Sequence, residues 1–455
     1  MELCKTKYRK AILQSAVSCV LLLSSCGQLE TKWVRTFNAH GPGNYRINSI
    51  ASTKEEIYFA GTYTPQGSIA RCFLAKYSAD GESEWHVLFP TSETTSAQGK
   101  KLLVLSKQED LLTTRSDIYL HIETHNINGP KKAILAKYDS LGDLTWHKTA
   151  ATTEGTLFST LLYDSDGNLY IAGWGDDGES KPTIFVTKYS ESGEVLYSTT
   201  YYSEQLDFDY LRFDVMDPNL FVLAGLFNST NEIFYIKYNS SGQFLKMVNY
   251  TTESVIKNIS DLKIAPHGTI FISANIRNPE TGDDFLTLVF NSRDSLLWAN
   301  EYDGQTGSDD YSKAISVDES LNVYVTGSTA NAKGIFNIVT VKYDILGNRL
   351  WAQGIDQSKI SDPLIMEPSY LRLSRRPQLA YLYIAGTVGN DAMILRCNNN
   401  GVYSFQEKYG ERGTTTVPTA LSERCMALER TAGSGSKALI VKFGPSAILG
   451  IARWD

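Results

Sequence analysis

Short apolar runs and turns alternate along the chain from residue 31 onward. Ile57-Tyr58-Phe59-Ala60-Gly61 and Leu169-Tyr170-Ile171-Ala172-Gly173 are typical runs, and 220–225, 323–327 and 382–386 follow the same form. They are rich in β-branched and aromatic residues, end in a small residue and Gly, and show no sustained 3.6-residue period, so they predict strands. A turn such as Asp166-Gly167-Asn168 precedes the run, and another short strand precedes the turn, as at 156–163 and 314–317. After the run comes a fixed phrase: Lys-Tyr, three residues, Gly, three residues, Trp. The aromatic anchors are Tyr77, Tyr138, Tyr189, Tyr238 and Tyr343, with Phe290, Cys397 and Phe443 in weaker copies. Gly81, Gly142, Gly193, Gly242, Gly347 and Gly401 stand four places on, and Trp85, Trp146, Trp298 and Trp351 eight places on.

The spacing from Lys76 to Lys442 gives a period of about 52 residues. Each unit reads as four short strands. A single such meander cannot bury both faces, but radial stacking lets neighbouring sheets cover each other. The rigid Lys-Tyr to Trp spacing predicts a hairpin between the two outer strands, with Gly at a φ > 0 turn position and aromatics packed between units. The predicted fold is therefore all-β: a single β-propeller of four-stranded antiparallel blades over residues 31–455. Eight anchors predict eight blades, with seven plus an irregular unit as the alternative. A ninth outer-strand candidate, residues 31–37 around Trp33, is expected to close the ring by pairing with the last unit, leaving 448–454 as an added strand or tail.

Composition changes this picture little. A length of 455 residues alone suggests about three domains, but the repeat accommodates it in one ring. The 26 Tyr and 34 Gly are largely consumed by the repeat. A net charge of −7 argues against nucleic acid as a main partner.

The first residues read as a targeting segment. Lys5, Lys7, Arg9 and Lys10 precede an apolar stretch at 11–23, which is too short to cross about 30 Å of hydrocarbon. Leu23-Ser24-Ser25-Cys26-Gly27 resembles the lipobox of bacterial lipoproteins. The resemblance implies a signal peptide at 1–25, cleavage before Cys26, lipidation of Cys26, and a short linker at 26–30. Gly27, where Asp would favour inner-membrane retention, implies the outer membrane. Of the remaining cysteines, Cys72, Cys397 and Cys425, no pair has metal-ligand spacing, and buried thiols are expected, with a Cys397–Cys425 disulfide as the alternative.

The unit at 314–351 carries Val317-Asp318, Asn322 to Thr329, Lys342-Tyr343-Asp344, Gly347 and Trp351. It resembles the bacterial SBBP-type β-propeller repeat, and the resemblance extends over essentially all of the chain after Cys26. That family brings no catalytic residues to carry over.

Few residues suggest chemistry. Asp164-Ser165-Asp166-Gly167-Asn168 fails the EF-hand pattern, because Leu169 and Gly175 stand where Gly and Glu belong. His121, Glu123 and His125 alternate on one predicted strand face and form a weak zinc candidate, since adjacent positions on that face lie about 6–7 Å apart. No nucleophile elbow, phosphate-binding loop or dinucleotide fingerprint occurs in a strand-to-helix context, and no cofactor is expected.

The variable connections remain. Those between units, and those between second and third strands, emerge on one face. They carry Trp174, Asp176, Asp177, Asp207, Asp209, Asp283, Asp284, Asp309, Asp310 and Tyr311. Acidic and aromatic residues there suit a basic protein segment, a sugar or a cation. The leading expectation is a non-enzymatic, lipid-anchored envelope propeller that binds protein or glycan partners. The alternatives are an assembly factor resembling the propeller lipoprotein of the barrel assembly machine, and a glycan-active enzyme.

Overall fold

The computed structural model describes residues 29–445, apart from 54, 109–113, 127–128, 151–154, 177–181, 203–205, 216–219, 228–229, 305–306, 356–365, 374–380, 423 and 434. The targeting segment, Cys26 and residues 448–454 lie outside them.

Eight four-stranded antiparallel sheets follow one another. Blades 1 to 7 take the chain in order over residues 43–88, 95–149, 155–202, 206–251, 255–302, 310–354 and 366–409. Blade 8 combines Thr415–Leu421, Cys425–Ala432 and Gly435–Pro445 with the N-terminal strand Leu29–Phe37, which takes the outermost place. Trp33 pairs with Lys442, so the first strand closes the ring as its sequence suggests. The eight-blade expectation holds and the seven-blade alternative falls.

First strands of successive blades touch around a closed circuit, with blade 8 returning to blade 1. Each is bulged against its second strand, as between Ile47 and Ser49 or Ser312 and Ala314. A bulge bends a strand and frees polar groups from the ladder. Side chains of one inner strand then accept amides of the next. Ser49 Oγ accepts Leu102 N–H at 3.0 Å, Asp214 Oδ2 accepts Ile264 N–H at 2.8 Å, and Asp261 Oδ2 accepts Ile315 N–H at 3.1 Å.

The core lies between blades. Tyr235 of blade 4 packs with Ile272 and Phe290 of blade 5, and Tyr58 of blade 1 with Leu120 and Tyr138 of blade 2. A buried aromatic removes about 150–250 Å² from water, a gross gain of roughly 4–6 kcal/mol before ordering costs.

The repeated phrase has a physical role at every position. A bulge falls at the Lys-Tyr step, between Lys76 and Tyr77, Lys188 and Tyr189, and Lys342 and Tyr343. In five blades the Lys lies over a tyrosine ring, 4.9–5.9 Å from its centroid; the ring stands on the second strand in four of them and, as Tyr235, on the third strand in blade 4. In four of these blades a carboxylate neutralises it, as where Lys188 meets Asp164 at 3.1 Å and Lys137 meets Asp117 at 2.9 Å, whereas Lys342 reaches Asn399. The Gly that follows has positive φ, +86° at Gly347. A Cβ there would lie 2.8 Å from the Trp298 ring of the preceding blade. That indole donates to Ile345 O at 2.9 Å, two residues before the Gly. Trp33, Trp85 and Trp351 donate likewise to Ala79, Ser140 and Asn399. Cys72, Cys397 and Cys425 are buried free thiols, as expected, and form no disulfide.

Candidate functional site

The alternation of strands gives the ring two unlike faces. First-to-second and third-to-fourth strand turns share one face, hereafter the turn face. Second-to-third strand loops and blade-to-blade connections share the other, the connection face.

Asp164 belongs to the turn face and is fully engaged. It accepts Asn168 N–H at 2.9 Å, Tyr170 O–H at 3.0 Å and the Lys188 ammonium. Burial alone would raise its pKa, but these hydrogen bonds overcome that and hold it below the ordinary carboxylate value. The Asp-x-Asp-Gly-Asn turn is thus a turn cap and a lysine counter-ion.

The His121, Glu123 and His125 candidate comes apart. His121 is fully buried and bonds Ser159 of blade 3 at 2.8 Å, and its pKa falls to about 3 through burial and then the neighbouring Lys100 and Lys101 charges. Glu123 pairs with Lys100 at 2.8 Å, while His125 is exposed. Among the described residues, the three form no group with metal-ligand spacing.

The ten expected loop residues divide sharply. Trp174 lies inside a strand, paired with Phe158 and Ile184, and its partly buried ring packs on the core between blades 3 and 4. Asp207 and Asp209 lie within the strand Leu206–Val215, and Asp176 ends the strand Leu169–Asp176; their side chains, and all of Asp177, fall outside the described residues. These corrections share one cause. Pairing continues past the apolar core, so polar residues that read as loop are strand ends.

The other five converge where blade 5 meets blade 6. Gly282–Phe290, the third strand of blade 5, begins beside Asp310–Val317, the first strand of blade 6. Asp283 is buried, and it receives Arg277 at 3.0 Å, Lys257 at 3.1 Å and the Tyr311 hydroxyl. Burial opposes its charge, but these donors overcome that and lower its pKa. Asp309 Oδ1 accepts both Arg277, at 2.9 Å, and the Asp283 amide, at 3.1 Å. Arg277 therefore spans the two acids, across the blade boundary.

Beside this neutralised cluster sits one that is not neutralised. Oxygens of Asp284, Asp303 and Asp310 all lie within 4.8 Å of one another. Asp284 and Asp310 are buried, against the expectation of open loop acids, while Asp303 is exposed. Burial, with neighbouring acids adding to it, lifts the pKa of Asp284 to about 6. Burial likewise lifts Asp310 to about 6, with Asp284 and Asp303 contributing. Asp303 escaped sequence reasoning. Only the register, with Phe285 opposite Tyr302, shows that the residues one step beyond, Asp284 and Asp303, are neighbours.

Charge also gathers on the inner strands. Lys101 of blade 2, Asp214 of blade 4, Asp261 and Lys263 of blade 5, and Arg372 of blade 7 act on one another electrostatically. Burial, with Lys263 and Arg372 nearby, lowers Lys101 to about 8. Asp214 and Asp261 are already committed to inter-blade amides.

Residues 302–332 match the SBBP β-propeller repeat. The SBBP stretch runs from the last residue of blade 5 through the second strand of blade 6, and it contains Asp303, Asp309, Asp310 and Tyr311. With eight such sheets in sequence, the match supports the repeat family. No curated protein matches the chain. Among solved structures, Drosophila Plexin A in complex with Semaphorin 1b is similar at 10% identity and a TM-score of 0.44, covering 91% of this chain and 87% of that one. A PL25 ulvan lyase is similar at 10% identity and 0.44, covering 87% and 94%. Polysaccharide lyase Uly1 is similar at 8% identity and 0.45, covering 90% and 94%. At these identities the likeness concerns the fold alone.

Proposed function

We propose that the protein is a lipid-anchored binding module of the cell envelope. Cys26 holds it on the outer membrane, and the connection face engages a protein or glycan partner. A propeller suits a binding or scaffold role because a rigid ring holds many connections on one surface. One observation carries the choice of face: Arg277, Asp283, Asp309 and Tyr311, from two blades, share one hydrogen-bonded cluster there.

The anchor would also set the orientation of the ring. Leu29 pairs with Pro445 at the turn-face end of blade 8. Cys26 is three residues upstream, a reach of about 10 Å. A lipid there would bring the turn face to the bilayer. That face carries an exposed apolar side chain in six successive blades: Leu141, Val195, Phe244, Leu296, Leu346 and Val402. The connection face would then look away from the membrane.

Two measurements test this reading. Cys26→Ser should move the protein from the membrane to the soluble fraction; continued membrane association would overturn the anchor. Proximity labelling in the native cell should recover a partner that the Asp309→Ala, Tyr311→Ala double variant loses. Recovery of nothing specific, or the same set from both proteins, would overturn the binding face.

A further inference from the structure

Asp284 and Asp310 are 1% and 0% exposed. Asp284 Oδ2 accepts the Thr281 hydroxyl, and Asp310 Oδ2 accepts the Gly304 amide. The Oδ1 atom of each is buried and has no hydrogen-bond partner. A buried carboxylate oxygen left this way is costly, and two carboxylates held this close add to the cost. Nearby cations do not relieve them. Arg277 and Lys257 are engaged by Asp283 and Asp309, and among the described residues no Lys or Arg pairs with Asp284, Asp303 or Asp310.

A small cation would balance both. Gly304 leaves no space for a side chain, since a Cβ would fall against Thr329 Oγ1 and lie 3.1 Å from both Asp310 oxygens. The donors are all oxygen, which selects hard cations over zinc or copper. Separations of up to 4.8 Å suit calcium better than magnesium. Ligands at about 2.3–2.6 Å from one ion can stand about 5 Å apart, against about 4 Å for an octahedral magnesium. Asp303, on the exposed side, leaves room for water to complete the shell.

We propose that Asp284, Asp303 and Asp310 bind a calcium ion that pins the third strand of blade 5 to the entry of blade 6. The site is distinct from the Arg277 cluster, whose acids already have cations. It holds or fails independently of any partner, because its test uses the purified chain alone.

The test is a calcium titration of the mature chain after EDTA treatment, followed by calorimetry and thermal melting. One ion per chain should bind with a Kd no weaker than about 1 mM, the range of extracellular calcium modules. Saturation should raise the Tm by several degrees, and magnesium at equal concentration should do less. Asp284→Asn and Asp310→Asn should each weaken binding at least about tenfold, as expected when a charged ligand is lost. In EDTA both variants should melt at or above wild type, because one of the mutually repelling charges is gone; this separates loss of the site from loss of the fold. Asp80→Asn, in a turn on the opposite face, should leave the response intact. No heat and no Tm shift at about 5 mM calcium, well above that range, would overturn the site. So would a response that Asp284→Asn and Asp310→Asn retain, or an equal response to magnesium.

Discussion

The turn face and the connection face are built from the same strands by opposite rules. On the turn face six blades repeat one arrangement, a positive-φ Gly with a Trp or Tyr pressed on it, and five blades set a Lys over a tyrosine ring. On the connection face the blades differ, and among the described residues only between blades 5 and 6 do five acids, an arginine and a tyrosine gather as described above. Repetition marks what every blade needs in order to stack on the next. The irregular stretch marks what one pair of blades has beyond stacking.

Substitutions can break this contrast. The largest effect is expected on the turn face, from Lys188→Met. It leaves Asp164 buried without its cation, and breaking one side of a buried pair costs about 3–5 kcal/mol. Urea melts should show this loss, and a cost under 1 kcal/mol would mean that the lysine is ornamental. Because Asp164 has a lowered pKa, its contribution is fully present above the unfolded carboxylate value and fades as pH falls through the folded one. The wild-type advantage over Lys188→Met should therefore shrink in acid.

Two glycines sharpen the comparison at constant chemistry. Gly347 and Gly334 have φ of +86° and +72°. A Cβ on Gly347 would meet Trp298 at 2.8 Å, whereas one on Gly334, in a connection-face loop, meets nothing within 4 Å. Gly347→Ala should cost about 3 kcal/mol and Gly334→Ala about 1 kcal/mol, the latter from backbone strain alone. Equal losses would show that steric fit against the indole adds nothing to the turn conformation.

Tyr311→Phe should have a smaller effect, about 1 kcal/mol or less in stability, since Arg277 and Lys257 still satisfy Asp283. A pH dependence supplies a further test. His121 is neutral in the fold, with a pKa near 3 against 6.5 when exposed. The unfolded chain thus binds the extra proton below about 6.5, and stability falls from there towards about 3. His121→Gln should flatten that part of the pH–stability curve; an unchanged slope would place the dependence elsewhere.

The repeat made the fold legible. Tyr77, Gly81 and Trp85 recur as sequence because each contacts a neighbouring blade in the same way, and Lys76 because it ties strands within its own, so a period in the chain translates directly into a period in space. Trp33 betrayed the closing strand for the same reason. The acidic seam had no such period. Asp283, Asp284 and Asp310 drew attention as loop acids, but their burial follows from pairing that outruns the apolar pattern, as Gly282 opposite Asn278 shows. Asp303 carried no signal of its own, since its neighbours are assigned by register across a strand pair and by the adjoining blade. The Asp303-Gly304 step, followed by Asp309-Asp310, was the one local hint available. His121 misled in the opposite direction: alternation put it on one strand face with His125, but only tertiary packing decided that one would be interior and the other exposed.

Blade 8 is assembled from the two ends of the described chain, Leu29–Phe37 lying against Gly435–Pro445. Every other blade can form from about fifty consecutive residues, whereas this one waits for everything between. Closing so long a loop is slow, so the last sheet to form should also be the gate on cooperative folding. The arrangement makes the ring a length gauge. A chain short of one blade, or carrying one too many, brings its two ends to the wrong places, and Trp33 cannot find the turn at Ala79 that receives its indole.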